Sequence, residues 1–141
     1  MKLDQASAMI DAALADARAR NAKPLGVIVL DAGGHPVAFE REDGASLFRF
    51  DIARAKALGA LGMGADTREI AARAASNPAF FTSVAVATGG SLALSAGGVL
   101  VRDGEGQVIG AVGISGDTSD VDEACALTGI AAAGLHHGGG Q

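Results

Sequence analysis

Three charged side chains, Arg41, Asp43 and Lys56, are of types that could act on an anionic small molecule. A guanidinium offers a planar fork of donors that matches a carboxylate, and a carboxyl or an amine can transfer protons. The sequence therefore indicates a substrate-binding role for Arg41 and Lys56, and a catalytic role for all three if the protein is an enzyme. The alternative is surface charge, with the apolar stem of Lys56 lying along a helix.

A second candidate site lies where the segment GDTSDVDEACA enters a helix. Ser119 followed by Asp122, and Asp120 followed by Glu123, have capping-box spacing, and acids in the first turn favour the helix dipole. Helix capping therefore explains most of these acids. The alternative is a pocket rim at which Asp122 and Glu123 bind a substrate. No regular calcium-loop spacing is present, so we expect no metal site.

The candidate cofactor-binding residues are His35, Gly97 and Gly98. His35 lies in the turn DAGGHP, where an exposed polar residue is the ordinary interpretation, but a lone histidine could also be an axial haem ligand or an acid–base group. Gly97 and Gly98 begin a predicted strand and would leave room for a ligand. Cys125 is the only cysteine, which excludes an internal disulfide and a thiolate-rich zinc site. Its Ala-rich surroundings predict a buried, inert thiol.

Composition limits the classes of partner. The chain has 141 residues, a net charge of −5 and no basic run, so we expect no binding to nucleic acid. No apolar run reaches the ~18 residues of a membrane span, and the N-terminal segment, broken by acids, does not resemble a signal peptide. We expect a cytoplasmic protein with one domain over residues 1–141. The end, 136–141, is predicted to fray, with His136 and His137 in solvent.

The elements that must position these residues are helices and two β-hairpins. Hydrophobic spacing predicts helices at residues 3–17, 47–63, 68–75 and 119–135. The hairpins pair 25–30 with PVAFER, and 97–102 with QVIGAVGIS. Asp66 or Thr67 is expected to cap the third helix, and AFFTSVAVATGG is ambiguous between loop and short strand.

Two hairpins make an antiparallel sheet, so the predicted fold class is α+β, with helices flanking the sheet. The GxG patterns of the sequence fall in hairpin turns or at strand ends. That context excludes a dinucleotide-binding fingerprint, which requires a strand–turn–helix unit.

Several stretches together resemble the GlcG/HbpS-like family, which includes the C-terminal domain of PduO-type proteins. They are VLDAGGHPVAFEREDGA, ARAKALGAL followed by ADT, GGVLVRDGEGQVIGAVGISG, and DEACALTGIAA. The resemblance runs in order over nearly the whole chain, as far as Leu135. It implies α/β/α layers around an antiparallel sheet, similar to profilin, and homo-oligomers ranging from dimers up to octamers.

The resemblance also implies a function. Some relatives bind haem and others accompany catabolic or redox enzymes, so we expect a small-ligand-binding protein with haem as a candidate cofactor. In PduO-type domains a histidine on the first helix looks like the haem ligand, and the first helix here has none. The alternative is a small cytoplasmic enzyme, an isomerase, hydratase or lyase, that acts on a carboxylated catabolic intermediate.

Overall fold

A four-stranded antiparallel sheet lies at the centre of the protein, in a computed structural model that describes residues 1–138. Its strands are β1 (Gly26–Asp31), β2 (Pro36–Arg41), β3 (Gly98–Arg102) and β4 (Val108–Ser115), in the spatial order β2-β1-β4-β3. The helices of the same residues are α1 (Leu3–Ala19), α2 (Arg49–Met63), α3 (Thr67–Ser76), α4 (Pro78–Ala87) and α5 (Ser119–Ala132). The predicted α+β class is confirmed.

Both hairpins turn by the same arrangement of atoms. The carboxylate of Asp31 accepts hydrogen bonds from the backbone N–H groups two and four residues further on, at 3.0 and 2.9 Å. Asp103 accepts the equivalent pair of bonds, both at 2.9 Å. Gly34 and Gly106 each follow their aspartate by three residues and have a φ of 83°, which favours glycine. An aspartate and a glycine at fixed spacing therefore define each hairpin.

Different helices cover the two faces of the sheet. α1 and α5 pack on the face formed by Val27, Val29, Val99, Val101, Val112 and Ile114. α2 packs on the opposite face, which is formed by Ile28, Leu30, Leu100 and Ala111. The expected helix–sheet–helix layers are therefore present. A smaller apolar cluster joins α3, α4 and the segment after α4.

The face under α2 is built from small residues, which bring helix and sheet unusually close. A Cβ at Gly113 would overlap the carbonyl oxygen of Ala53, and a Cβ at Gly98 would overlap that of Lys56. The facing side of α2 is itself smooth, since Ala53 and Ala57 are fully buried there. Backbone therefore packs against backbone, and no larger residue fits at these strand positions.

α4 corrects the interpretation of AFFTSVAVATGG as loop or short strand, because residues 78–87 are helical. Valines favour a strand in that stretch, and Asn77 followed by Pro78 indicates the end of the preceding helix. That helix does end, at Ser76, but Pro78 also occupies the first turn of α4. Proline is well suited to that position, since its missing N–H would have no helical partner there.

The C-terminal segment pairs with the free edge of the sheet. His136 and Arg102 exchange backbone hydrogen bonds of 2.8 and 3.0 Å. The stretch predicted to fray, 136–141, thus begins with a paired residue, and 139–141 lie outside the described residues. Across residues 1–138, every helix is too short or too polar to cross a membrane.

Replacing Gly113 by alanine tests the close contact between α2 and the sheet. We expect Gly113→Ala to lower the free energy of unfolding by about 2 kcal/mol or more, because α2 must shift to make room. Gly104→Ala is the matched control, since a Cβ at Gly104 meets no atom within 4 Å. Urea denaturation of both variants gives the comparison. Equal losses at the two positions would contradict the packing argument.

Candidate functional site

The three residues predicted to act together, Arg41, Asp43 and Lys56, lie towards one end of the sheet but do not meet. Arg41 is exposed at the end of β2, where its Nη1 donates to the carbonyl oxygen of Ala45 at 2.7 Å. Asp43 is exposed and lines a shallow cleft of about 230 Å³ with Glu42 and two other residues. Lys56 is buried, with 3% of its surface exposed. The structure thus provides no common pocket for this set.

Lys56 forms a buried ion pair with Asp122, which is 1% exposed. Its Nζ lies 3.2 Å from Oδ2 of Asp122 and donates to the carbonyl oxygen of Ile114 at 2.9 Å. The other carboxylate oxygen of Asp122 accepts from the backbone N–H of Asp117 at 3.0 Å. Since Lys56 belongs to α2 and Asp122 to α5, the pair joins the two helical layers past the start of β3.

Burial opposes both charges of this pair. Desolvation lowers the pKa of Lys56 and raises the pKa of Asp122, while their mutual attraction acts in the opposite direction for each. The hydrogen bonds to Ile114 and from Asp117 add partners that a buried ion pair requires. Lys56 is therefore neither a surface lysine nor, in this chain, a group that an external substrate can reach.

Gly97 and Gly98 adjoin the same ion pair. A Cβ at Gly97 would lie 2.9 Å from Nζ of Lys56, and the φ of Gly97 is +124°. The space that these glycines leave is filled by Lys56, Ile114 and Thr67 of this chain. The absence of side chains at Gly97 and Gly98 therefore lets α2 and the side chain of Lys56 pack closely against the start of β3.

The acids before and within α5 have roles other than the predicted capping box. Thr118 is the N-cap, and its hydroxyl accepts from the backbone N–H of Val121 at 3.3 Å. Glu123 and Asp120 instead bind one arginine, Arg68 of α3, whose Nε lies 2.8 Å from Glu123 and whose Nη2 lies 2.5 Å from Asp120. The capping-box prediction is wrong because tertiary partners compete for these carboxylates. Arg68 thereby ties α3 to α5.

His35 and Cys125 occupy contrasting environments. The side chain of His35 is 71% exposed in the β1–β2 turn, at the opposite end of the sheet from Gly97. Cys125 is fully buried in α5, and burial raises the pKa of its thiol to about 11. The inert thiol expected from the sequence agrees with this placement, since little thiolate forms at neutral pH.

A cleft of about 440 Å³ lies between α3 and the edge of β3. Its walls carry opposite charges around a small apolar floor, and they comprise Gly64, Ala65, Asp66, Arg68, Glu69, Ala72, Leu100, Arg102, Glu123 and Gly138. Sequence reasoning missed Arg68 and Arg102 as residues of a cleft. No local signal identifies them, because the strand edge and the helix come together only in the tertiary structure.

One side of this cleft is the edge of β3, whose N–H groups are covered by other elements. Thr67 Oγ1 accepts from Gly98 N at 2.8 Å, and Asp66 Oδ1 accepts from Leu100 N at 2.9 Å. The carbonyl of His136 accepts from the third N–H. Asp66 thus stands at the N-cap of α3, as predicted, but its side chain forms no cap hydrogen bond and satisfies the sheet edge instead. Covering an edge in this way opposes strand addition.

Replacing Lys56 by methionine tests the buried ion pair. We expect Lys56→Met to lower the free energy of unfolding at pH 7 by about 3–5 kcal/mol, because Asp122 is left as an unpaired buried carboxylate. Lys56→Met combined with Asp122→Asn should recover part of that loss, since no charge then stays buried. Urea denaturation provides the measurement.

The loss caused by Lys56→Met should shrink as the pH falls. A buried carboxyl with a raised pKa binds its proton at a higher pH in the folded state than in the unfolded state, so stability increases as pH decreases towards the ordinary value of about 3.9. A loss of equal size at pH 7 and at pH 4 would show that the carboxylate charge is not its cause.

Comparison with known proteins identifies the family. Residues 1–131 match the family described as haem degrading protein HbpS-like. Protein ORFY of Klebsiella pneumoniae is similar in structure, with a TM-score of 0.86 and 28% identity over 95% of this chain and 90% of that one.

Two further solved structures are similar. A PduOC:heme complex has a TM-score of 0.85 and 27% identity over 100% of this chain and 99% of that one. A double mutant of HbpS from Streptomyces reticuli has a TM-score of 0.78 and 28% identity over 93% and 85%. No functionally curated protein gives a significant match. With the family matched over almost the whole chain and the same fold observed, this protein belongs to the HbpS-like family.

Proposed function

We propose that this chain is a cytoplasmic ligand-binding protein that binds haem as a homo-oligomer. The observation that carries the proposal is the similarity over the full chain to a PduOC domain that was solved with haem. The HbpS-like family, to which this chain belongs, is described as haem degrading, and this description points to the same ligand. The enzyme alternative has less support, because Arg41, Asp43 and Lys56 line no common pocket.

The residues of this chain fit haem in one respect, the supply of axial ligands. Haem iron is commonly held by histidine, and His35, His136 and His137 are all exposed. His35 remains our first candidate because it lies on a defined turn. When bound, haem would supply redox chemistry, and an imidazole nitrogen of this chain would hold its iron.

A single chain does not fit haem in the other respect, the enclosure of a flat apolar ring. Haem needs an apolar slot, but charged side chains line both clefts described above. The apolar surface lies elsewhere, on α4 and the segment after it. Phe80 is 50% exposed and Val86 77% exposed, whereas Phe81 is the buried residue of α4. We therefore propose that a second copy completes the enclosure.

The charge pattern supports α4 as the face that meets a second copy. Between Arg73 and Arg102 the sequence contains no charged residue. Two copies with a net charge of −5 each repel one another, so an uncharged face lowers the electrostatic cost of contact. A helix that is apolar on most sides is normally buried, and the isolated chain leaves α4 largely uncovered.

His35 and this apolar face approach the same half of α2. A Cβ at Gly34, beside His35, would touch Leu58, and a Cβ at the next residue, Gly59, would touch Leu92 in the segment after α4. The C-terminal half of α2 therefore connects the candidate ligand to the apolar surface. In this proposal Gly97 and Gly98 allow α2 to pack closely on the sheet and do not contact the cofactor.

Titration with hemin tests the haem proposal. We expect a saturable shift of the Soret band, with His35→Ala weakening binding at least about 10-fold, because one axial bond is lost. His136→Ala and His137→Ala are the matched controls. The absence of a saturable shift overturns haem binding. A shift that survives loss of each histidine overturns ligation by His35 and indicates adsorption of the ring to apolar surface.

Sedimentation of the purified protein tests the assembly. We expect a species larger than the monomer, and we expect Val86→Lys to shift it towards the monomer because a buried charge is unfavourable at an interface. Leu3→Lys, on α1, is the control at another exposed apolar residue. A monomeric wild-type protein, or an assembly that Val86→Lys leaves intact, contradicts the proposed face.

A further inference from the structure

We infer that the cleft between α3 and β3 binds a small zwitterion of the α-amino acid class, independently of haem. The cleft has a volume of about 440 Å³, within the range of small-molecule sites. Its charged residues belong to α3 and its N-cap Asp66, to β3 and to α5, and Leu100, Ala65 and Ala72 provide a small apolar surface. His35 and the apolar surface on α4 do not line it, whereas the backbone of His136 pairs with that of Arg102 at its edge.

Most charges around this cleft already have partners within the chain. Arg68 is held by Glu123 and Asp120. Glu69 pairs with Arg73 one turn further along α3, at 3.2 Å. Within the described part of the chain, this leaves one cation and one anion of the cleft outside any ion pair, Arg102 and Asp66.

Arg102 has a donor that lacks an acceptor. Its Nη1 donates to the carbonyl oxygen of Gly106 at 3.0 Å, which anchors one arm of the guanidinium. Its Nε is buried and has no hydrogen-bond partner among residues 1–138. A buried donor without a partner is costly, and a carboxylate is the acceptor that a guanidinium prefers. Because Arg102 lines the cleft, the carboxylate of a ligand bound there would supply the anionic partner that its guanidinium lacks.

Asp66 supplies the opposite charge. Its Oδ1 accepts from Leu100 N, and burial raises the pKa of the carboxyl while Arg102 opposes that rise. Asp66 and Arg102 therefore influence one another but form no ion pair within 4.0 Å in the described residues. An ammonium group placed next to Asp66 would stabilise its ionised form.

These two groups together select a zwitterion. A simple anion would satisfy Arg102 but would face Asp66 and two further acids, Glu69 and Glu123, while a simple cation would face Arg102 and Arg68. A molecule that carries a carboxylate and an ammonium on one carbon atom, as an α-amino acid does, can place each charge beside its complement. The small apolar floor then contacts the side chain of the amino acid.

Calorimetric titration of the full chain tests the inference. The probes are the twenty standard α-amino acids, with acetate and methylammonium as single-charge controls at equal ionic strength. We expect saturable binding of at least one amino acid at one per chain, and no binding of either control at the same concentration. The absence of binding by all twenty, or equal binding of acetate or methylammonium, overturns the inference.

Variants locate the site. Arg102→Gln and Asp66→Asn should each weaken binding of that amino acid at least about 10-fold, and Asp66→Asn keeps an oxygen that can accept from Leu100 N. Arg54→Gln, at an arginine of α2 outside the cleft, should leave binding unchanged. Circular dichroism and urea denaturation confirm that each variant is folded. Unchanged binding in folded Arg102→Gln or Asp66→Asn protein contradicts this site, and hemin titration of the same variants separates this result from the haem proposal.

Discussion

The buried ion pair between Lys56 and Asp122 is the interaction on which the arrangement of layers depends. α2 and α5 cover opposite faces of the sheet, and this pair is a direct polar link between them. Both charges gain additional hydrogen bonds, from Asp117 and to Ile114, which offset the cost of burial. Gly97 lies against the pair, because a Cβ there would meet Nζ. The link therefore constrains the helices and the start of β3 together.

The close packing of α2 against the sheet affects which aromatic side chains can be buried. A core made from alanine, glycine and β-branched residues has little room for aromatic rings, and the chain has only five phenylalanines. Of these, Phe81 is buried, while Phe48, Phe50 and Phe80 are exposed. A contiguous patch of exposed apolar side chains, such as the one proposed on α4, typically marks an interaction surface. The close packing of the core and the exposure of these phenylalanines are thus two results of one composition.

Two surfaces of different chemistry follow from this architecture. The uncharged surface of α4 suits apolar partners, whereas the cleft beside β3 contains opposite charges and suits a small polar molecule. The cleft exists because β3 is an edge strand whose N–H groups need partners. Asp66 and Thr67 supply them at the start of α3, and His136 supplies another from the C-terminal segment. The segments that cover the edge of β3 therefore also form the sides of the candidate site.

The sequence by itself determined the local elements. Asp31 and Asp103, each with glycine three residues further on, define the two hairpins. Short apolar runs rich in β-branched residues define strands that lie between helices. The α+β class followed from these elements, and the family resemblance rested on the four stretches that match the family in order. α4 escaped prediction because its valines favour a strand. Pro78 suits the first turn of a helix, and Phe81 packs that helix against α3 and the segment after α4.

Only the tertiary structure decided which charged residues are available for function. Lys56 and Asp122 are 66 residues apart in the sequence, and Arg68 and Glu123 are 55 apart. The helix dipole stabilises a carboxylate in the first turn of any helix. The position of that carboxylate in the sequence therefore does not show whether a distant lysine or arginine also binds it. Burial and pairing decide that competition, and both depend on how helices from distant parts of the chain meet across the sheet.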